Sequence, residues 1–127
     1  MQKFLAIGNI GSVQPIKQVG DSEVLNFSVA VNNYAGKDST GKSVYKTMWV
    51  SCSVWGALAK AMQWLEKGMK VYVSGDLDFD EKGNPKTYAT KDGEVRASFS
   101  LTVREIEVVS SANAPAEVED EDDDMPF

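Results

Sequence analysis

Met48-Trp49-Val50-Ser51-Cys52-Ser53-Val54-Trp55 alternates without a break. Side chains on a strand point to opposite faces in turn, so Met48, Val50, Cys52 and Val54 share one side. That side is apolar and small enough to line a barrel. The other side carries Trp49, Ser51, Ser53 and Trp55. Two indoles on an otherwise polar face expose apolar surface that something should cover. An oligomer contact or a second small core is one cover. An unpaired nucleobase is another, because every base has a flat π-face that stacks without regard to sequence, at roughly 1–3 kcal/mol per base.

Outward from this stretch, the chain reads as strands with one helix. Residues 24–33 alternate in the same way, with Leu25, Phe27, Val29 and Val31 facing one side. Residues 3–10 form a short apolar run, and residues 34–43 read as a Gly-, Lys- and Ser-rich loop before the strand at 46–55. Residues 57–67 change period. Leu58, Ala61, Met62 and Leu65 fall at helical spacing, and Gly68 follows as a stop. Residues 70–79 return to a strand. Turns are expected at 80–85 and 91–94. The last strand, 95–109, changes parity between Val103 and Ile106, which predicts a bulge near Arg104 and Glu105. The predicted order is three strands, a helix, then two strands. It matches an all-β, five-stranded Greek-key barrel of the OB-fold type, with one short helix between the third and fourth strands.

Charge divides the chain sharply. Residues 117–127 hold seven acids and no base, which leaves twelve of the nineteen acids against all thirteen bases elsewhere. The sequence therefore divides into a domain over 1–109, a short linker over 110–116 and an acidic tail over 117–127. Seven linker residues reach at most about 25 Å when fully extended. The tail ends in Asp122, Asp123, Asp124, Met125, Pro126 and Phe127. A solvated acidic run has no use for an apolar end, whereas a partner pocket rimmed by Lys or Arg could take the ring and pair with the carboxylates. No apolar run reaches membrane-spanning length, no signal segment opens the sequence, and Cys52 is the single cysteine. Together these point to the cytoplasm and away from a membrane.

Enzymatic constellations are missing from the sequence. It contains no His, and no cofactor or metal is expected. Residues 36–43 match the G-x-x-x-x-G-K-[ST] string, but a strand follows where a phosphate loop needs a helix N-terminus. A P-loop nucleotide hydrolase is thus the weaker reading, and a hairpin whose lysines reach a nucleic-acid backbone is the stronger. Asp76, Asp78 and Asp80 alternate as in a calcium loop, yet Glu81 and Thr87 stand where that loop needs Gly and Glu. Their parity suggests a solvated strand face.

Four segments together resemble the bacterial, phage or plasmid single-stranded DNA-binding proteins. They are residues 3–11 with Pro15-Ile16-Lys17, residues 26–31, residues 49–56, and residues 65–77. The acidic tip resembles the end of the same family. The resemblance implies an OB-fold, usually homotetrameric, that binds single-stranded DNA in replication, recombination and repair at the nucleoid. It also implies that replication and repair proteins are recruited through the tip. On it, Trp49 and Trp55 fall on stacking positions, Tyr34 lies near a third, and Phe79 approximates a fourth. Lys3, Lys17, Lys67 and Lys70 fall at or near basic positions that follow phosphates, and Lys42 and Lys46 flank the hairpin end. The acidic run 76–81 departs from the family, as does Ser51. A rival of another class is an interaction adaptor of the same fold, with its indoles buried against protein.

Overall fold

The structure, a computed structural model, describes residues 1–111. The order is β1 (Phe4–Val13), β2 (Lys17–Val19), β3 (Ser22–Lys37), β4 (Ser43–Trp55), α1 (Ala57–Ala61), β5 (Lys70–Leu77), β6 (Thr87–Ala89), β7 (Val95–Ala97) and β8 (Phe99–Ser110). The main sheet runs β1-β5-β8-β4-β3, and β1 also pairs with β3, so five strands close into a barrel; β2 hangs on the far side of β3. All of its pairings are antiparallel except β4 with β8.

Alternation explains the core. The inner faces contribute Leu25, Val29, Val50, Val54, Val71, Val73 and Leu101, all fully buried, with Phe27 and Cys52 nearly so. Each such aliphatic side chain stabilises the fold by about 1.5–3 kcal/mol relative to exposure. Burial also pushes the Cys52 thiol up to about 12, so it packs as an apolar group. Two glycines let strands close. A Cβ on Gly8 would collide with the backbone carbonyl of Ala30, and one on Gly75 with that of Thr102. The bulge predicted near Arg104 is present. Ser74 opposes Glu105 while Gly75 opposes Val103, so Arg104 is the extra residue and the inward set switches from Leu101 and Val103 to Ile106 and Val108.

Four expectations need correction. The loop over 34–43 is mostly strand: β3 continues to Lys37, β4 begins at Ser43, and only residues 38–42 turn. The Asp38 carboxylate accepts from the Thr40 amide, the Thr40 hydroxyl and the Lys42 amide, which fastens this turn. The helix stops at Ala61 instead of 67, because the chain tightens beyond it. Gln63 donates to Lys60 O and Leu65 to Met62 O, three residues back. The strand expected at 95–109 is two strands. Ser98 leaves the ladder to donate to Lys86 O, so β7 pairs with β6 and β8 joins the barrel. Finally, β2 and β6 appear where no strand was expected.

Among the described residues, no helix is long and apolar enough to cross a membrane. The acidic tail over 117–127, including Asp122, Asp123, Asp124, Met125, Pro126 and Phe127, lies outside the described residues, as do residues 112–116 of the linker.

Candidate nucleic-acid interface

The outer face of the β3–β4 ribbon gathers four aromatic rings. In an antiparallel ladder, directly opposed residues point the same way. Ala30 opposes Trp49, Val24 opposes Trp55, and Tyr34 opposes Tyr45. Residues 45, 49 and 55 of β4 share a parity, opposite to that of the buried Val50, Cys52 and Val54. Trp49 is 56% exposed, Trp55 44%, Tyr34 45% and Tyr45 40%. At about 3.4 Å per residue, Trp55 stands about 20 Å from Trp49 along the strand, and Tyr45 about 14 Å beyond it.

Trp49 has a prepared floor. Its strand neighbour is only Ala30, and on β1 the backbone of Gly11 lies under the ring. A Cβ on Gly11 would sit 2.5 Å from Cζ3 and 2.9 Å from Cη2 of the indole. The ring therefore lies across β3 toward β1, with one side supported and much of its surface open. Ser12 and Ser28 hydroxyls bond each other at 2.8 Å beside this floor. The Ser53 hydroxyl donates to Asn26 Oδ1 at 2.7 Å between the two indoles. The ground between the rings, Ser51 and Ser53, is polar, and it suits a chain of sugars and phosphates better than an apolar partner.

The lysines divide into two groups. Lys17 opposes Val24, which opposes Trp55, so Lys17 stands on the Trp55 face two strands away. Lys70 opposes Asn9, Asn9 opposes Ala30, and Ala30 opposes Trp49, which places Lys70 in the Trp49 row. Lys67 belongs to the turn that Gly68 fastens to Ile10 O and the Asn9 amide fastens to Gly68 O, so it lies beside that row. Lys42 sits at the tip of the ribbon. Lys46 opposes Asn33 and has the parity of Met48, which turns it to the other side of the ribbon from Trp49. Lys3 precedes β1, about 25 Å along the strand from Gly11, and its ammonium pairs with Glu105 at 3.4 Å. The Ser74 hydroxyl, and then Lys3, hold the Glu105 carboxyl below its usual range.

Phe79 is placed elsewhere. It is 61% exposed, bridges only to Pro85, and lines an open cavity of about 490 Å³ with Asp76, Asp78, Lys86, Thr102 and Arg104. Asp76 accepts from Arg104, Asp78 from the Thr102 hydroxyl, and Asp80 from the Lys82 and Asn84 amides. These are the solvated, hydrogen-bonded aspartates of a strand and turn, and no cluster of metal-ligating side chains occurs among the described residues. The 36–43 string is a hairpin turn with no helix behind it. Tyr45 escaped the sequence reading. Its odd number, in step with Trp49 and Trp55, was the available signal.

The Single-strand binding protein family matches residues 1–109. The chain belongs to that family. Proteins of this family are non-enzymatic DNA-binding proteins. Over 97 residues the chain is 33% identical to Single-stranded DNA-binding protein 1 of Chlorobaculum tepidum, covering 72% of this chain and 59% of that protein. Over 110 residues it is 24% identical to the Single-stranded DNA-binding protein of Xanthomonas campestris pv. campestris, covering 86% and 60%. The chain thus spans about three fifths of the length of these relatives. The fold matches the crystal structure of a small single-stranded DNA-binding protein from Streptomyces coelicolor, with a TM-score of 0.65, 18% identity, and 84% and 93% of the two chains covered. It also matches a Plasmodium falciparum SSB in complex with ssDNA, with a TM-score of 0.62, 23% identity, and 87% and 95% covered.

Proposed function

We propose that this chain binds single-stranded DNA without regard to sequence, laying the strand along the outer face of β4. Trp49, Trp55 and Tyr34 stack bases. Lys17, Lys67 and Lys70 pair with phosphates along the two indole rows, and Lys42 does so at the ribbon tip. The observation that carries this reading is the pair of open indoles on one strand face, with polar ground between them and lysines in the same rows. Stacking supplies the affinity that a nearly neutral domain cannot draw from charge, and the lysines add a salt-dependent share through counterion release. Tryptophan fluorescence tests it. Adding oligothymidine at low salt should quench the emission, and unchanged emission would end the proposal.

We place this binding in the protection of exposed strands during replication, recombination and repair at the cytoplasmic nucleoid, a setting that the family membership supports. Self-association to a homotetramer is supported by the exposed Leu5, Ile7 and Val109 on the outer side of β1 and β8. Residues 4–8 of β1 also pair only with β5, which leaves their other edge open. Several copies holding one strand raise its effective concentration at each site. Asp122, Asp123, Asp124, Met125, Pro126 and Phe127 recruit replication and repair proteins, the ring entering an apolar pocket and the carboxylates meeting its basic rim. Deleting Phe127 should leave DNA affinity nearly unchanged and abolish that recruitment. Light scattering with and without oligonucleotide separates this reading from an adaptor, whose indoles would be covered before DNA arrives.

A further inference from the structure

Beyond the barrel, the β3–β4 ribbon stands alone. Pairing of β1 with β3 ends at Asn9 and Ala30, and pairing of β8 with β4 begins at Val50. Residues 31–37 and 43–48 therefore pair only with each other. A two-stranded ribbon is marginal in water without help. Here the help is the Asp38 turn at the tip, a 2.7 Å bond from the Thr47 hydroxyl to Asn32 Oδ1, and the Tyr34–Tyr45 pair. The rings meet edge to face, with centroids 5.8 Å apart and planes at 69°.

We propose that Tyr45 and Tyr34 form a single base seat, the outermost station of the DNA path. The inference rests on the single-stranded DNA reading above and extends it to Tyr45. Three observations carry it. The pair lies on the face that bears Trp49 and Trp55, continuing their line past the barrel. Both tyrosines stay exposed despite their contact, Tyr34 at 45% and Tyr45 at 40%. Near-perpendicular rings make a corner: a base lying flat on one has its rim over the face of the other. Lys37 opposes Ser43, two residues from Tyr45, so it stands on this face at the ribbon end and takes the adjoining phosphate. It enters no ion pair among the described residues.

The experiment measures affinity for a ladder of oligothymidines of increasing length, for the wild-type chain, Tyr45→Val and Tyr45→Phe. Valine suits an exposed strand and removes the π-face; phenylalanine keeps it. Oligomers just long enough to quench Trp49 and Trp55 should bind Tyr45→Val as tightly as wild type. Longer ones should bind it about five- to a hundredfold more weakly, the equivalent of one lost stack, and Tyr45→Phe should restore them. Equal binding of every length by Tyr45→Val overturns the seat. Should Tyr45→Val loosen the ribbon, photocrosslinking of iodouridine-bearing oligonucleotides to the wild-type chain decides. Adducts on Tyr45 support the seat, and adducts confined to Tyr34, Trp49 and Trp55 overturn it. If oligothymidine leaves wild-type fluorescence unchanged, the parent reading fails; if wild type quenches normally and only the Tyr45 results miss, the seat alone fails.

Discussion

The β3–β4 ribbon and the connection from β5 to β8 both expose large aromatic side chains, yet they offer different surfaces. In the ribbon, Tyr34, Tyr45, Trp49 and Trp55 hang from one ladder paired from Val24–Trp55 to Lys37–Ser43. In the connection, Phe79, Tyr88 and Phe99 sit on an isolated bridge, a three-residue strand and the first residue of β8. Charge differs as well. The ribbon has Glu23 and Asp38 against Lys37, Lys42 and Lys46; residues 76–98 have six acids against four bases. Exposure of a ring alone therefore does not distinguish the two surfaces. A long regular ladder spaces rings in a line that a polymer can follow, and a short, acidic hairpin does not.

Removing the rings from the ladder should produce the largest effect. Trp49→Ala with Trp55→Ala deletes two stacks worth about 2–6 kcal/mol together, so affinity for long oligothymidine should fall at least about thirtyfold. Circular dichroism should remain that of the wild type, since both indoles are exposed. A loss smaller than threefold would mean that the ladder does not organise binding.

Two glycine substitutions sharpen the contrast between placing a ring and closing the barrel. Gly11→Ala puts a methyl under the Trp49 indole, whose far end can swing away. DNA affinity should fall about three- to tenfold, part of one stack, with stability changed by less than about 1 kcal/mol. Gly75→Ala instead meets the Thr102 carbonyl, which is backbone and cannot yield cheaply. It should cost about 3 kcal/mol of stability in a urea titration.

How much of this was legible in the sequence follows the same division. The barrel strands could be read because each buries alternate residues. Even the Arg104 bulge showed, as a change of parity between Val103 and Ile106. Strands β2 and β6 have three residues each, all exposed, so there was no buried alternation to read, and β7, equally short and exposed, is legible only as the start of the last strand. The helix was read too long because Leu65 is buried from a turn that follows the last helical residue. In the candidate site, the exposed face of Trp49 and Trp55 was legible by alternation. Tyr45 was hidden because residues 34–43 read as loop, which set the start of the following strand at Lys46. For Lys3 and Lys46, charge and position in the sequence do not reveal an ion pair with Glu105 or a turn to the opposite side of the ribbon.

A charge change on the connection should act more weakly than any ring on the ladder. Asp76 lies opposite Thr102, and Thr102 opposite Ser53 of β4, so the carboxylate stands near the path but one strand removed. Asp76→Asn also frees Arg104 from its pair. Affinity should rise about twofold at low salt and return to the wild-type value as salt is added, because exposed charges beyond about 10 Å are screened.

The smallest effect is expected at Phe79. Its ring is more exposed than either indole, and a ranking by exposure alone would place it first. The ladder argument places it last. Phe79 has one bridging partner, no ring beside it at strand spacing, and Asp76 and Asp78 around the cavity it lines. A phosphate approaching there meets the carboxylates of Asp76 and Asp78 with only Lys86 to offset them, since Arg104 is already engaged. Phe79→Ala should change oligothymidine affinity by less than about twofold, within one ordinary surface substitution. A loss comparable to that of Trp49→Ala would show that DNA crosses the connection after all. The contrast between the two regions would then reduce to one of order, with the ladder fixing its rings in advance and the hairpin fixing its own only when DNA binds.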